Sequence, residues 1–160
     1  MKRLRLFTAF FIVLSTVSCG NKMSPQEYNE LITSLHETNW QYIDQSETML
    51  LEAQRYQSGE DSAICANIYD YLDEVSNRLD TLRYPTEAEK FHLSAIKLIT
   101  FLRDSVVCLY RQTSMYRAET AEWYDSWAKV DSAFKLKASA LEDSLIVAQK
   151  KFTEEISINY

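Results

Sequence analysis

Glycine and proline are almost missing, with two of each in 160 residues. Loops that wrap phosphate or a dinucleotide need two or three closely spaced glycines, and Gly20 and Gly59 cannot supply them. A Gly-x-Ser-x-Gly nucleophile elbow is missing as well. The same scarcity leaves little material for tight turns, so the chain reads as all-α. Histidine is equally scarce, with His36 and His92 alone. Glu89 and His92 form one Glu-x-x-His pair of the kind that di-iron bundles use twice, but Thr33 stands where His36 would need its glutamate. With that ligand set incomplete, Glu89 reads as a helix cap and His92 as a surface residue. No metal, cofactor or catalytic group is assigned, and the chain reads as a non-enzyme.

Positive charge is the next shortage: 17 Lys and Arg stand against 23 Asp and Glu, a formal charge of -6. Nucleic acid is a poor match for such a chain, because phosphate binding needs concentrated cations. The charge is also uneven. Residues 19–89 hold 14 acids and 4 bases, whereas residues 90–160 hold 9 acids and 10 bases. Either acidic faces pair internally with basic ones, or the folded body is electrically polarised.

A long apolar run occurs once, at the start. Lys2, Arg3 and Arg5 precede an apolar stretch over residues 6–17, then Ser18 and Cys19. A basic start, a short apolar middle and a small residue before the break make a secretory signal, too short and one-sided to span a membrane. Thr16-Val17-Ser18-Cys19 resembles the lipobox of bacterial lipoprotein precursors, with Thr16 where leucine is commoner. The resemblance implies cleavage before Cys19 and acyl chains on that cysteine, which together hold a protein stably at a membrane. Gly20 after the cysteine, in the resembling lipoproteins, is compatible with transfer to the outer membrane of a Gram-negative cell, facing the periplasm. The expected division is therefore a signal peptide over 1–18, a tether over 19–23 and a helical domain over 24–160. Loss of Lys2, Arg3 and Arg5 with no acid shifts the formal charge from -6 to -9. The tether spans less than roughly 20 Å, so the domain should sit close to the membrane.

Ser24-Pro25-Gln26-Glu27 is a capping box with proline in the first turn. The helix it starts should run to Gly59, whose freedom suits a left-handed cap. Tyr28, Ile32, Leu35, Asn39, Tyr42, Ser46, Met49, Ala53 and Tyr56 alternate at spacings of four and three, a heptad seam. A second helix from Asp61 should bury Ile64, Ile68, Tyr71, Leu72, Val75, Leu79 and Leu82, and end before Pro85. Thr86-Glu87-Ala88-Glu89 reads as another capping box. Beyond it one apolar stripe continues from Phe91 through Tyr116 and Trp123 to Ile156. An unbroken helix of that length would be on the order of 100 Å long, so a turn is expected between Gln112 and Thr120, with Thr113 or Ser114 as caps. The expectation is an antiparallel bundle of four helices, the alternative being three with one very long C-terminal helix.

Cys65 and Cys108, some 18 and 21 residues either side of Pro85, could form a disulfide in an exported protein; buried free thiols are the alternative. Trp40 and Leu51 share a face away from the seam, and Tyr116, Trp123 and Trp127 lie in the densest aromatic stretch. All five are candidate partner contacts, with core packing as the competing role. Asn39 and Ser46 on the seam suggest a wet interior or a second copy of the chain. The leading function is a membrane-anchored protein-binding or scaffolding bundle of the cell envelope. An acidic inhibitor or immunity lipoprotein masking a basic enzyme is an alternative, as is a small-ligand carrier with a cavity among Tyr28, Asn39, Tyr42 and Ser46.

Overall fold

The computed structural model describes residues 23–159, so the expected signal peptide and Cys19, the expected site of lipid attachment, lie outside the described residues. Within them the chain is an all-α bundle of four helices that alternate up and down, with no strand among the described residues. Helix α1 (Pro25–Tyr56) begins at the expected capping box: Glu27 N–H donates to Ser24 Oγ at 3.3 Å and Ser24 N–H to Glu27 Oε2 at 2.9 Å. Helix α2 (Asp61–Thr81) returns beside it. Helix α3 covers residues 89–113 and helix α4 residues 121–159, each continued through a π-helical turn, Leu102–Val106 in α3 and Ala133–Ala138 in α4. The two π turns lie against each other.

Several terminal expectations change. The left-handed cap of α1 is Gln57 (φ 52°), and Ser58 N–H closes back on the Ala53 carbonyl at 3.0 Å; Gly59 is left-handed two residues later. The second capping box does not form. Thr86–Ala88 make a 3-10 turn capped by Pro85 with no side-chain bond, and α3 proper starts at Glu89. The break after residue 112 is present, but its cap is Thr120, whose Oγ1 accepts from Trp123 N–H at 3.3 Å after the left-handed Glu119 (φ 67°).

The heptad seam holds through Ser46 and again at Ala53, but fails at Met49 and Tyr56. Tyr28, Ile32, Asn39, Ile43, Ser46, Leu50, Ala53 and Gln54 are buried, while Met49 and Tyr56 are exposed. Tyr28, Asn39 and Leu50 recur every eleven residues, close to the natural helical period. A strict 3.5-residue stripe drifts by about 20° per heptad on a straight helix, enough to carry Met49 and Tyr56 out of the core. On α2 and α3 the predicted stripes are the core: Ile64, Ile68, Leu72, Val75 and Leu79 face Phe91, Ala95, Leu98, Leu102 and Val106.

Replacing Gln57 by glycine should relieve a left-handed side-chain penalty. The expected gain is about 1 kcal/mol in urea unfolding at unchanged m-value, and an unchanged or lower midpoint would show that the cap carries no strain.

Candidate interaction surface

The end of the bundle opposite Ser24 is built around one amide. Gln54, 4% exposed, donates through Nε2 to Thr113 Oγ1 at 2.7 Å and to Ser114 Oγ at 3.2 Å. Its Oε1 accepts from Trp123 Nε1 at 2.7 Å and from Trp127 Nε1 at 3.1 Å. All four bonding positions of the amide are used. Its orientation is unambiguous too, because an indole N–H can only donate. One α1 side chain thereby ties the end of α3 to the start of α4.

Trp123 is buried and Trp127 half-buried in this clasp, which gives both a packing role; each needs an acceptor for its N–H, and Gln54 provides it. Trp40 is half-buried, its ring covered by Phe134 (centroids 5.8 Å apart) and His36 (6.2 Å). The π turn in α4 brings Phe134 there, a displacement that apolar spacing does not announce. Leu51 is half-buried. Tyr116 alone of the five candidates is exposed, at 42%. Its company is Tyr56, which the heptad pattern assigned to the seam, Met115, which it passed over, and Tyr124 from the same dense aromatic stretch, at 82%, 77% and 56%. All four lie within two residues of a clasp member. Gln57 and Glu119, the two non-glycine residues with positive φ among those described, belong to the same end.

This end also carries Glu52, Glu60, Asp61, Glu119, Glu122 and Asp125 against Arg55, Arg111 and Arg117. Arg111 lies 5.3 Å above the Tyr69 ring, a local instance of guanidinium on tyrosine. Between the acidic and basic halves of the chain, Asp73 meets Arg103 at 3.0 Å.

Other expected sites resolve differently. Cys65 and Cys108 are both free, Cys65 buried and Cys108 exposed, so the disulfide is absent. The register of α2 on α3 explains this: Asp73 meets Arg103, Tyr69 meets Arg111, and the Cys65 thiol meets the Ser114 hydroxyl. The residue opposite Cys65 lies six positions past Cys108, about 9 Å of helical rise. His92 is not on the surface. It is 3% exposed, its Nδ1 is 2.8 Å from Tyr28 Oη, and its ring stacks on Tyr84 at 4.0 Å. Burial holds its pKa below the ordinary 6.5, with Asp80 opposing.

The space proposed for a small ligand is filled: Tyr28 packs edge-on to Phe91 and Phe152, Tyr42 stacks on Tyr71, and Tyr71 Oη donates to Asn39 Oδ1 at 2.7 Å. A cavity of about 10 Å³ beside Asn39 and Trp40 is far below the roughly 300 Å³ of a small-molecule site. A trough of about 540 Å³ lined by Asp70, Asp73, Glu74, Asn77, Arg78 and Thr81 has all its lining on α2 and is open to solvent. Among the described residues no group of three or more His, Cys, Asp or Glu is placed to hold a metal, and no helix is long and apolar enough to cross a membrane. No protein-family model, curated protein or solved structure matches the chain.

Gln54→Leu should leave two indole donors buried without an acceptor and cost at least about 3 kcal/mol in denaturant unfolding; a loss below 1 kcal/mol would mean the clasp is dispensable. Since His92 stays neutral when folded but takes a proton near pH 6.5 when unfolded, its burial destabilises the fold as pH falls below that value. The wild type should therefore lose more stability between pH 7 and 5 than His92→Gln. Equal losses in the two proteins would remove His92 from the acid response.

Proposed function

We propose that this chain is a lipid-anchored lipoprotein of a bacterial cell envelope, held through Cys19 at the outer membrane on the periplasmic side, that docks a protein partner at the far end of its bundle. The observation that carries this reading is the coincidence of four exposed large apolar side chains and both left-handed non-glycine residues at one end. Exposed apolar groups gathered in one place mark contact surfaces, and backbone strain persists where the surrounding structure over-determines it. From Ser24 to Gln54 the rise of α1 is about 45 Å, which sets that end well clear of a membrane-proximal anchor.

The chemistry of the tip suits a basic segment of the partner. Six carboxylates outnumber three guanidiniums there, and tyrosine faces accept arginine or lysine as readily as they accept apolar contact. A second copy of the same acidic tip would be repelled, as would an anionic lipid surface. The inhibitor reading is a special case of this surface, with the basic segment belonging to an enzyme.

A photo-crosslinking residue at position 116, in living cells, should yield a discrete protein adduct, whereas one at position 93 on the flank of α3 should not. The adduct should fall at least about tenfold when Glu122 and Asp125 are both replaced by lysine. Adducts of equal yield from both positions, or none from 116, would refute docking at the tip; an adduct indifferent to the lysines would refute the basic partner alone.

A further inference from the structure

Below the Gln54 clasp a buried phenol is tied to a carboxylate. Tyr110 of α3 is 0% exposed, and its Oη donates to Glu47 Oε2 of α1 at 2.7 Å. Glu47 is half-buried, and two more acids act on it, Asp44 one turn earlier on α1 and Asp131 on α4. Lys135 meets Asp131 at 2.9 Å, but that pair is exposed and weak. From α2, the Cys65 thiol acts on the phenol. Burial, partly offset by the Tyr110 bond and reinforced by Asp131 and Asp44, holds the Glu47 carboxyl above its ordinary 4.5. The same tyrosine leads to the clasp. Its carbonyl accepts from Thr113 Oγ1 at 2.8 Å, and Thr113 Oγ1 accepts from Gln54 at 2.7 Å.

We propose that Glu47 and Tyr110 form an acid-tightened joint, in which uptake of one proton by Glu47 draws α1 against α3 and α4 beneath the clasp. The physical basis is a change of charge without a loss of bonding. Ionised Glu47 is a half-buried anion acted on by two others, so desolvation and repulsion both work against close approach of α1. Neutral Glu47 is free of both costs and keeps a carbonyl oxygen that accepts from Tyr110. Because the folded carboxyl holds its proton more tightly than the unfolded one, the joint contributes its full stability below pH 4.5 and loses it as pH rises through the higher folded value. His92 responds with the opposite sign, because its burial favours the neutral imidazole. The bundle thus carries two proton-sensitive joints: as the surroundings acidify, the one at the Ser24 end loosens and the one below the tip tightens.

Glu47→Gln in the intact protein keeps an acceptor for Tyr110 and removes the titration. In urea unfolding, the folding constant of the wild type divided by that of the variant should rise at least about twofold between pH 7.5 and pH 4. The Trp123 indole N–H, held by Gln54, reports on the clasp itself. Its hydrogen exchange, corrected for the intrinsic effect of pH, should slow more in the wild type than in the variant over the same interval. Carbon-detected NMR on the wild type alone gives a third reading, with the Glu47 carboxyl titrating at a midpoint above 4.5. A flat or falling ratio, indole exchange that changes equally in both proteins, or a Glu47 midpoint at or below 4.5 would each overturn the proposal.

Discussion

The far end of the bundle depends on a single buried amide. Gln54 lies on the helix that begins after Ser24, and its two donors and two acceptor positions are divided between the end of α3 and the start of α4. Such a network is worth keeping only when every member is satisfied, since a half-satisfied one would cost more than an apolar core. Here the condition is met in both directions: the indoles have an acceptor, and the Thr113 hydroxyl donates its own hydrogen bond to the Tyr110 carbonyl at 2.8 Å. The turn over residues 114–120 therefore connects two helices already fixed in position, and strain at Glu119 can be borne there.

The same logic runs down the inner stripe of α1. Tyr28, Asn39, Ser46 and Gln54 interrupt an otherwise apolar row, and each answers a polar group from another helix or from its own. Tyr28 meets His92 from α3, and Asn39 meets Tyr71 from α2. Apolar packing tolerates sliding by a turn at modest cost, whereas a misplaced amide or imidazole would be left unpaired in the core. Polar residues at these levels set which residues of the four helices face one another.

Much of this organisation was legible in the sequence, for identifiable reasons. Two glycines and two prolines, a capping box at Ser24 and a stripe that jumps at Pro85 are local signals, and local signals lead to four helices. What escaped was set by register. Cys65 and Cys108 looked level because residues were counted outward from Pro85, but an extended stretch, a 3-10 turn and a π turn all intervene. The aromatic density after residue 109 was visible, yet the inward placing of Trp123 and Trp127, with Tyr116 and Tyr124 left outside, depends on Gln54, 69 and 73 residues before the two indoles. The exposure of Tyr56 follows from the difference between a 3.5-residue and a 3.6-residue period accumulated over eight turns, which no single residue betrays. The cap at Gln57 breaks the preference for glycine at a left-handed position, so reading for glycine pointed two residues too far.

Topology gives the tip its character. In an up-down bundle of four helices the N-terminus, the C-terminus and the α2–α3 connection share one end, and the α1–α2 and α3–α4 connections share the other. An anchor placed before α1 engages the first end and leaves the second with two free turns side by side. Turns tolerate sequence change that helices do not, because their side chains are not counted into the core. At this end the scaffold beneath is made rigid by Gln54, Trp123 and Trp127, so the exposed phenols can be varied without loosening their support. A surface of tyrosine and carboxylate on a stiff base binds at low entropic cost, since a tyrosine has only two torsions to lose. The tryptophans that the sequence offers as contacts thus brace this end from below, holding still the exposed residues around them.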